Sequence, residues 1–265
     1  MTAYERVLAA RDIKKLTSVD FIEKLFGGSF IELHGDRRFA DDKAVVAGLA
    51  MLYDMPVTVI GLEKGRNTKE RMEHNFGMAH PEGYRKALRL MKQAEKFNRP
   101  VLCFIDTSGA YCGIAAEERG QAQAIAENLM EMMTLKTPIL SIFIGEGGSG
   151  GALALGVANE VWMLENALYS VISPEGCASI LWKDESKAPE AAKCLKLTAH
   201  DLFKLGITER IIRSPKSDDV KMFENLKILI GKTFDKYAAM TPEQLVENRY
   251  MRFRKMGSQF DDSEQ

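Results

Sequence analysis

Pro138-Ile-Leu-Ser-Ile-Phe-Ile-Gly145-Glu146-Gly147-Gly148-Ser149-Gly150-Gly151-Ala152 is the stretch whose reading decides the fold. The short apolar run reads as a buried strand. Five glycines in seven residues then make a turn, and residues 152–158, rich in Ala and Leu, read as a helix start. Glycine tolerates positive φ and lets a ligand approach the backbone. The first turn of a helix has unpaired N–H groups and a partial positive charge. Strand, glycine turn and helix start together suit negative charge.

Three chemistries use such a turn. Gly145-x-Gly147-x-x-Gly150 matches a dinucleotide fingerprint, and Glu165 follows at the distance of a ribose-binding acid. Gly147-x-Ser149-x-Gly151 matches a nucleophile elbow. Gly150 and Gly151 can also offer backbone N–H groups to an oxyanion. The dinucleotide reading lacks context, because a Rossmann unit places a full-length helix after its glycines and little chain separates Gly151 from the next strand at 160–164. The elbow reading needs a downstream His, and His200 lies in an amphipathic stretch, where a surface His is expected. Glu165 then reads as a solvated acid at a strand end, and Ser149 as a small residue in a crowded turn.

A second glycine turn supports the oxyanion reading. Residues 100–106 form another buried strand, ending in Thr107-Ser108-Gly109-Ala110-Tyr111-Cys112-Gly113. A long helix is expected at 115–133. Strand, glycine turn and helix thus occur twice, and alternation of strands with helices implies an α/β fold with largely parallel pairing. Two turns on neighbouring strands would flank one cavity. The residues alone leave open whether they are ordinary strand-to-helix connections.

The rest of the chain fills in this frame. Helical character is expected over 1–30. Strands are expected at 45–52 and 56–62 around a tight turn at Asp54-Met55, and at 160–164, 168–172 and 207–212. Helices are expected at 84–97, 174–182, 187–196 and 199–205. Residues 63–83 read as irregular. Three segments follow: an N-terminal helical segment 1–30, a central domain 31–215, and a C-terminal helical segment with a tail, 216–265.

Composition narrows the function. The chain has 265 residues, 46% hydrophobic and 28% charged, with a net charge of −1. That balance describes a globular protein without the basic field that nucleic acid or an anionic membrane would attract. No apolar run is long enough to span a bilayer, and the N-terminus lacks an apolar signal core. A cytoplasmic location is expected. The four cysteines include no C-x-x-C pair, so a zinc ribbon, and any metal site, is not expected here. Glu117 and Glu118 suit the first turn of a helix. Lys64, Arg66, Lys69 and Arg71 crowd one short span, which reads either as a solvated loop or as a site for an anionic ligand or acidic partner.

Blocks of sequence carry a resemblance: Glu32-Leu-His-Gly-Asp-Arg37, Ala40-Asp-Asp-Lys-Ala44, Lys64-Gly-Arg66, Asn75-Phe-Gly-Met78, Pro81-Glu-Gly-Tyr-Arg-Lys-Ala-Leu-Arg-Leu-Met91, Ala116-Glu-Glu-Arg-Gly-Gln121, the 145–153 turn, and Ser173-Pro-Glu-Gly-Cys-Ala-Ser-Ile-Leu-Trp-Lys183. Over residues 30–215 the chain resembles the α subunit of bacterial acetyl-CoA carboxylase carboxyltransferases. The resemblance implies a crotonase (ClpP-like) fold, with repeated ββα units in a spiral and flanking helices. It implies transfer of a carboxyl group from carboxybiotin, held on a biotin carboxyl carrier protein, to acetyl-CoA, giving malonyl-CoA for fatty-acid synthesis. The partners implied are a zinc-bearing β subunit in an α₂β₂ assembly, the carrier protein, and the ATP-dependent biotin carboxylase.

The resemblance further implies that Gly150 and Gly151 form an oxyanion hole for the biotin ureido oxygen, the β subunit supplying the hole for the thioester. Gly109, Ala110, Tyr111, Gly147 and Gly148 become pocket candidates. Carboxybiotin would release CO₂, the biotin enolate or its ureido nitrogen would take the methyl proton of acetyl-CoA, and the thioester enolate would attack CO₂. No protein nucleophile is needed. Many members have prolines where this chain has Ser108 and Cys112, which loosens the expected turn. A stand-alone crotonase-type acyl-CoA enzyme is the alternative, and a non-catalytic interaction subunit a third possibility.

Overall fold

In the computed structural model, residues 1–216 and 218–258 are described; the expected tail at 260–265 lies outside them. The chain opens with helices α1 (Ala3–Arg11) and α2 (Ser18–Phe26), both started by capping boxes, Thr2 with Glu5 and Thr17 with Asp20. Such reciprocal bonds satisfy orphan N–H groups at a helix start. Strand β1 (Ile31–Glu32) precedes the hairpin β2 (Val45–Leu52) and β3 (Met55–Leu62). The hairpin turns at Tyr53-Asp54, one residue earlier than expected, because Tyr53 adopts φ +55° and Leu52 pairs with Met55.

Helix α3 (Thr68–Glu73) occupies part of the span expected to be irregular. Asn67 caps it by accepting from Glu70 N, and Asn67-x-x-Glu70 was the signal in the sequence. Helix α4 (Pro81–Lys96) leads to β4 (Val101–Thr107). The expected long helix is broken into α5 (Ile114–Glu118) and α6 (Gln121–Thr134). Gly120 separates them at φ +82°, and Arg119 beside it is paired with Glu82 of α4.

Strand β5 (Ile139–Gly147), short helix α7 (Ser149–Leu153) and β6 (Glu160–Leu164) follow. Then come α8 (Pro174–Trp182), α9 (Ala188–Cys194), α10 (Ala199–Lys204), β7 (Arg210–Ile212), α11 (Val220–Ala238) and α12 (Pro242–Arg254). The expected strand at 168–172 is not a strand. Its residues form only isolated bridges, Gly148 with Ser170 and Leu168 with Thr198, before Pro174 starts α8. Proline lacks the N–H that a continuing ladder needs.

One sheet orders the strands β1-β2-β3-β4-β5-β6-β7. Pairing is antiparallel from β1 to β3 and parallel from β3 to β7. The central strands are buried along their length and read as continuous apolar runs, as strands covered on both faces do. The C-terminal ends of β4 and β5 lie side by side, so the two glycine turns emerge together.

Helix α12 is fastened by Arg249, which is fully buried. Its guanidinium donates to the carbonyls of Met132 (2.7 Å), Leu135 (2.9 Å) and Thr137 (3.0 Å), and to Asn159 Oδ1 (2.8 Å). Carbonyls at the end of α6 have no partner within their own helix, and Arg249 supplies one.

Candidate functional site

The two glycine turns touch. A Cβ on Gly151 would lie 2.5 Å from Ala110 N and 2.6 Å from the Gly109 carbonyl carbon, and a Cβ on Gly148 would lie 2.8 Å from Gly109 N. Gly148 N donates to Thr107 O (2.9 Å), which continues the β4–β5 pairing into the turns. Glycine is required at 148 and 151 by this close approach. Neither Gly150 nor Gly151 has a positive φ, so the expectation of a glycine-only conformation there is not met. The left-handed residue is Ser149, at φ +49°. Gly150 has room for a side chain, its nearest neighbour being Ile125 at 3.7 Å.

Ser149 N donates to Ser170 O (2.8 Å). The next two N–H groups, of Gly150 and Gly151, have no intrachain acceptor among the described residues. A 530 Å³ cavity opens beside Gly150, lined by Ser149, Gly150 and Leu153, by Tyr169 and Val171, and by Phe253 and Met256, while Gly151 is buried and does not line it. Its walls are mainly apolar. The Tyr169 ring packs tilted against Phe143, centroids 4.3 Å apart, and burial pushes its phenol up to about 12. Gly147 and Gly148 instead line a smaller cleft of 60 Å³ with Arg11, Ser108 and Glu146.

The other turn, Gly109-Ala110-Tyr111, lies against α7 and does not line the large cavity. It is well tied despite lacking prolines. Thr107 Oγ1 bonds Gly109 N and O, Tyr111 N donates to Ala79 O, and Gln121 Nε2 donates to the carbonyls of Ala79 and Tyr111. His80 stacks on the Tyr111 ring at 4.1 Å.

The basic span divides. Lys64 is buried and ion-paired with Glu146 (2.5 Å) and Asp106 (3.3 Å), so it faces inward. Burial disfavours its charge, yet the two carboxylates hold its ammonium above the usual lysine range. Arg66 pairs with Asp20 (2.8 Å) and Glu23 (3.1 Å). Lys69 is exposed and Arg71 half-buried on α3. Glu165 accepts from Ser214 N (3.0 Å), and His200 and Ser149 line different cavities. Neither the dinucleotide acid nor the nucleophile pair is assembled. Glu117 and Glu118 are exposed and are the last two residues of the five-residue α5, not the opening of a long helix.

Beneath the glycine turn lies a charge cluster that sequence reading missed. Asp106 is fully buried and pairs with Lys15 and Lys64; Glu146 pairs with Lys64 and Arg11; Arg11 reaches Glu175 (2.8 Å). Burial pushes the Asp106 carboxyl up, but the Lys15 and Lys64 ammoniums outweigh this and hold it below the usual carboxylate range. Its members lie as far as 164 residues apart, and only the glutamate between two glycines of the turn gave a local hint. Among the described residues, no group of three or more His, Cys, Asp or Glu could hold a metal ion. No helix there is long and apolar enough to cross a membrane.

A mixed sheet whose two strand-end glycine turns meet, with an apolar cavity beside one of them, defines the class: an α/β protein with a crotonase-type fold. The structure superposes on a chain of Pseudomonas malonate decarboxylase hetero-tetramer in complex with coenzyme A (TM-score 0.71, 15% identity, 88% of this chain and 92% of that one). It also superposes on transcarboxylase 12S (TM-score 0.70, 17% identity, 87% of this chain), spanning 44% of that longer chain. Residues 1–257 match the model of the acetyl co-enzyme A carboxylase carboxyltransferase-like family, and the chain belongs to that family. It is similar to the acetyl-coenzyme A carboxylase carboxyl transferase subunit alpha of Ruminiclostridium cellulolyticum (62% identity, 97% of this chain and 98% of the relative). The same subunit of Clostridium acetobutylicum is 55% identical, over 97% and 95%.

Proposed function

We propose that this chain is the α subunit of an acetyl-CoA carboxylase carboxyltransferase, moving a carboxyl group from carboxybiotin to acetyl-CoA to give malonyl-CoA in fatty-acid synthesis. Family membership over 1–257 supports the reaction. The observation that carries the site is the unpaired N–H of Gly150 at the wall of the 530 Å³ cavity, with the unpaired N–H of Gly151 next to it in the first turn of α7. These donors are oriented before substrate arrives, and such donors lower the cost of charge developing on an oxygen. The oxygen is the ureido oxygen of biotin, which gains charge as CO₂ leaves. The biotin enolate, or the nitrogen exposed with it, takes the methyl proton, and the thioester enolate attacks CO₂. The apolar walls, Leu153, Tyr169 and Phe253 among them, exclude water that would otherwise protonate the enolate.

Gly147, Gly148 and the Gly109-Ala110-Tyr111 turn support α7 from behind. Of the basic span, Lys69 and Arg71 remain for an anionic substrate or partner; Lys64 and Arg66 are engaged within the chain. Biotin arrives on its carrier protein after ATP-dependent carboxylation by biotin carboxylase. The acetyl thioester is held by a β subunit that carries its own zinc, in an α₂β₂ cytoplasmic assembly. Ile114, Met130 and Val171, apolar and exposed, belong to the surface such a partner would cover.

A stand-alone acyl-CoA enzyme would need an acid or base in the cavity. No carboxylate, histidine, lysine or cysteine lines it, and burial pushes the Tyr169 phenol up to about 12. Assaying the purified chain for malonyl-CoA-dependent carboxylation of biotin, alone and with a β subunit, tests the reading. Activity only in the mixture supports it; full activity of the chain alone refutes it.

A further inference from the structure

The pairing of β4 with β5 changes register just before the glycine turn. Ile105 faces Phe143 and Thr107 faces Gly147, so Asp106 alone spans what Ile144, Gly145 and Glu146 span on β5. Such an irregularity leaves backbone groups without ladder partners and re-aims the chain beyond it. Here the spare N–H of Glu146 is taken by the side chain of Asp106, Oδ1 accepting at 3.0 Å. The other oxygen, Oδ2, accepts from Lys15, and Lys64 reaches Oδ1 at 3.3 Å. Gly145 makes room for this arrangement, since a Cβ there would lie 2.6 Å from Asp106 Cγ and 2.7 Å from Lys15 Nζ.

We propose that Asp106 is a positioning residue for carboxyl transfer: gripped by Lys15 and Lys64, it fixes the bulge at Gly145 and Glu146, and through it the aim of the Gly150 and Gly151 N–H groups. The segment after α1 that carries Lys15 is thereby part of the active-site scaffold. A carboxylate accepting from both an ammonium and a backbone N–H has little freedom to move, and charge-assisted bonds are the stronger kind. Asparagine at 106 would keep the shape but leave two ammoniums facing a neutral amide. The proposal rests on the oxyanion reading of Gly150 and Gly151.

The test uses the complex reconstituted with a β subunit, assayed from malonyl-CoA to biotin. Asp106→Asn should lower kcat about tenfold or more, as small misplacements of catalytic groups do, with KM for malonyl-CoA and assembly by gel filtration little changed. Lys15→Met should act in the same direction and Lys15→Arg should recover most of the loss. Ile230→Ala, which leaves a void in the core under α11 and away from the cavity, serves as the control for general destabilisation. A kcat for Asp106→Asn within twofold of the parent overturns the proposal, as does a loss per assembled complex no larger than that of Ile230→Ala. Should Asp106→Asn fail to assemble, the Lys15 pair decides: equal activities for Met and Arg overturn it. Gly151→Val in the same assay separates the two readings. If it is harmless, the oxyanion reading fails; if it disables transfer while Asp106→Asn does not, only the positioning role fails.

Discussion

Gly151 lies directly on the peptide that joins Gly109 to Ala110, so close that a Cβ would come within 2.5 Å of Ala110 N. Helix α7 can sit where it does only because this residue has no side chain. The contact fixes the helix that presents the two unpaired N–H groups, and it makes Gly151 and Gly150 unequal.

Gly151→Val should therefore lower kcat by about 10²–10³, the cost of losing an oxyanion donor, while the β subunit still assembles. Gly150→Ala should be much milder, because its nearest neighbour is Ile125 at 3.7 Å. Ser149→Ala should also be mild, no His being assembled beside it. Steady-state kinetics from malonyl-CoA rank the three; severe loss at Ser149 with none at Gly151 would return the elbow reading.

Charge changes along the basic span should separate by burial. Lys69→Glu and Arg71→Glu should raise KM or weaken assembly, and the effect should shrink with added salt. Lys64→Met should instead destabilise the fold, because it takes from Asp106 and Glu146 one of the two cationic partners each has. Kinetics at two ionic strengths and urea titrations make the comparison; Lys69 and Arg71 variants that change neither KM nor assembly at low salt would count against their role.

Arg249→Met should cost about 3 kcal/mol or more, because several buried carbonyls lose a charged donor. For a chain of this size that corresponds to a fall in Tm of roughly 6–12 °C. Differential scanning calorimetry reads it, and an unchanged Tm would show that α12 is held by its apolar face alone.

The Asp106 carboxyl is held below its usual range, so its folded pKa lies under its unfolded one. The stability it contributes is present above the unfolded value, about 4, and is lost as pH falls through the folded value. The stability gap between the parent chain and Asp106→Asn should then be widest near pH 7 and narrow below about pH 4. Urea unfolding across that range measures it; a gap that grows on acidification would contradict the assignment.

Iodoacetamide should label Cys112 and Cys194 in the native protein, both being exposed. Cys103 should stay unlabelled until unfolding, since burial pushes its thiol up to about 12. Peptide mapping before and after denaturation shows which thiols react.

Much of this was legible in local sequence. β2 was placed to its ends, and so were β6 and α8, because apolar runs and a Ser173-Pro174 helix start announce themselves within a few residues. The break at Gly120 was missed because the apolar spacing that marks the helix, Ala122 to Met133, lies wholly beyond it, and the pairing of Arg119 with Glu82 shows where the bend is held. The strand expected at 168–172 had the composition of one, but its neighbours on the sheet offered only single bridges.

The sequence by itself determined strands β2 to β6, the two glycine turns and, through its motif blocks, the family, because each is written in short-range pattern. Tertiary structure alone decided that the turns touch, that Lys64 faces inward toward Asp106 and Glu146, and that Arg249 caps the end of a helix 114–117 residues away in the chain. Charge pairing and close approach depend on which distant residues the fold brings together, and no local periodicity encodes that.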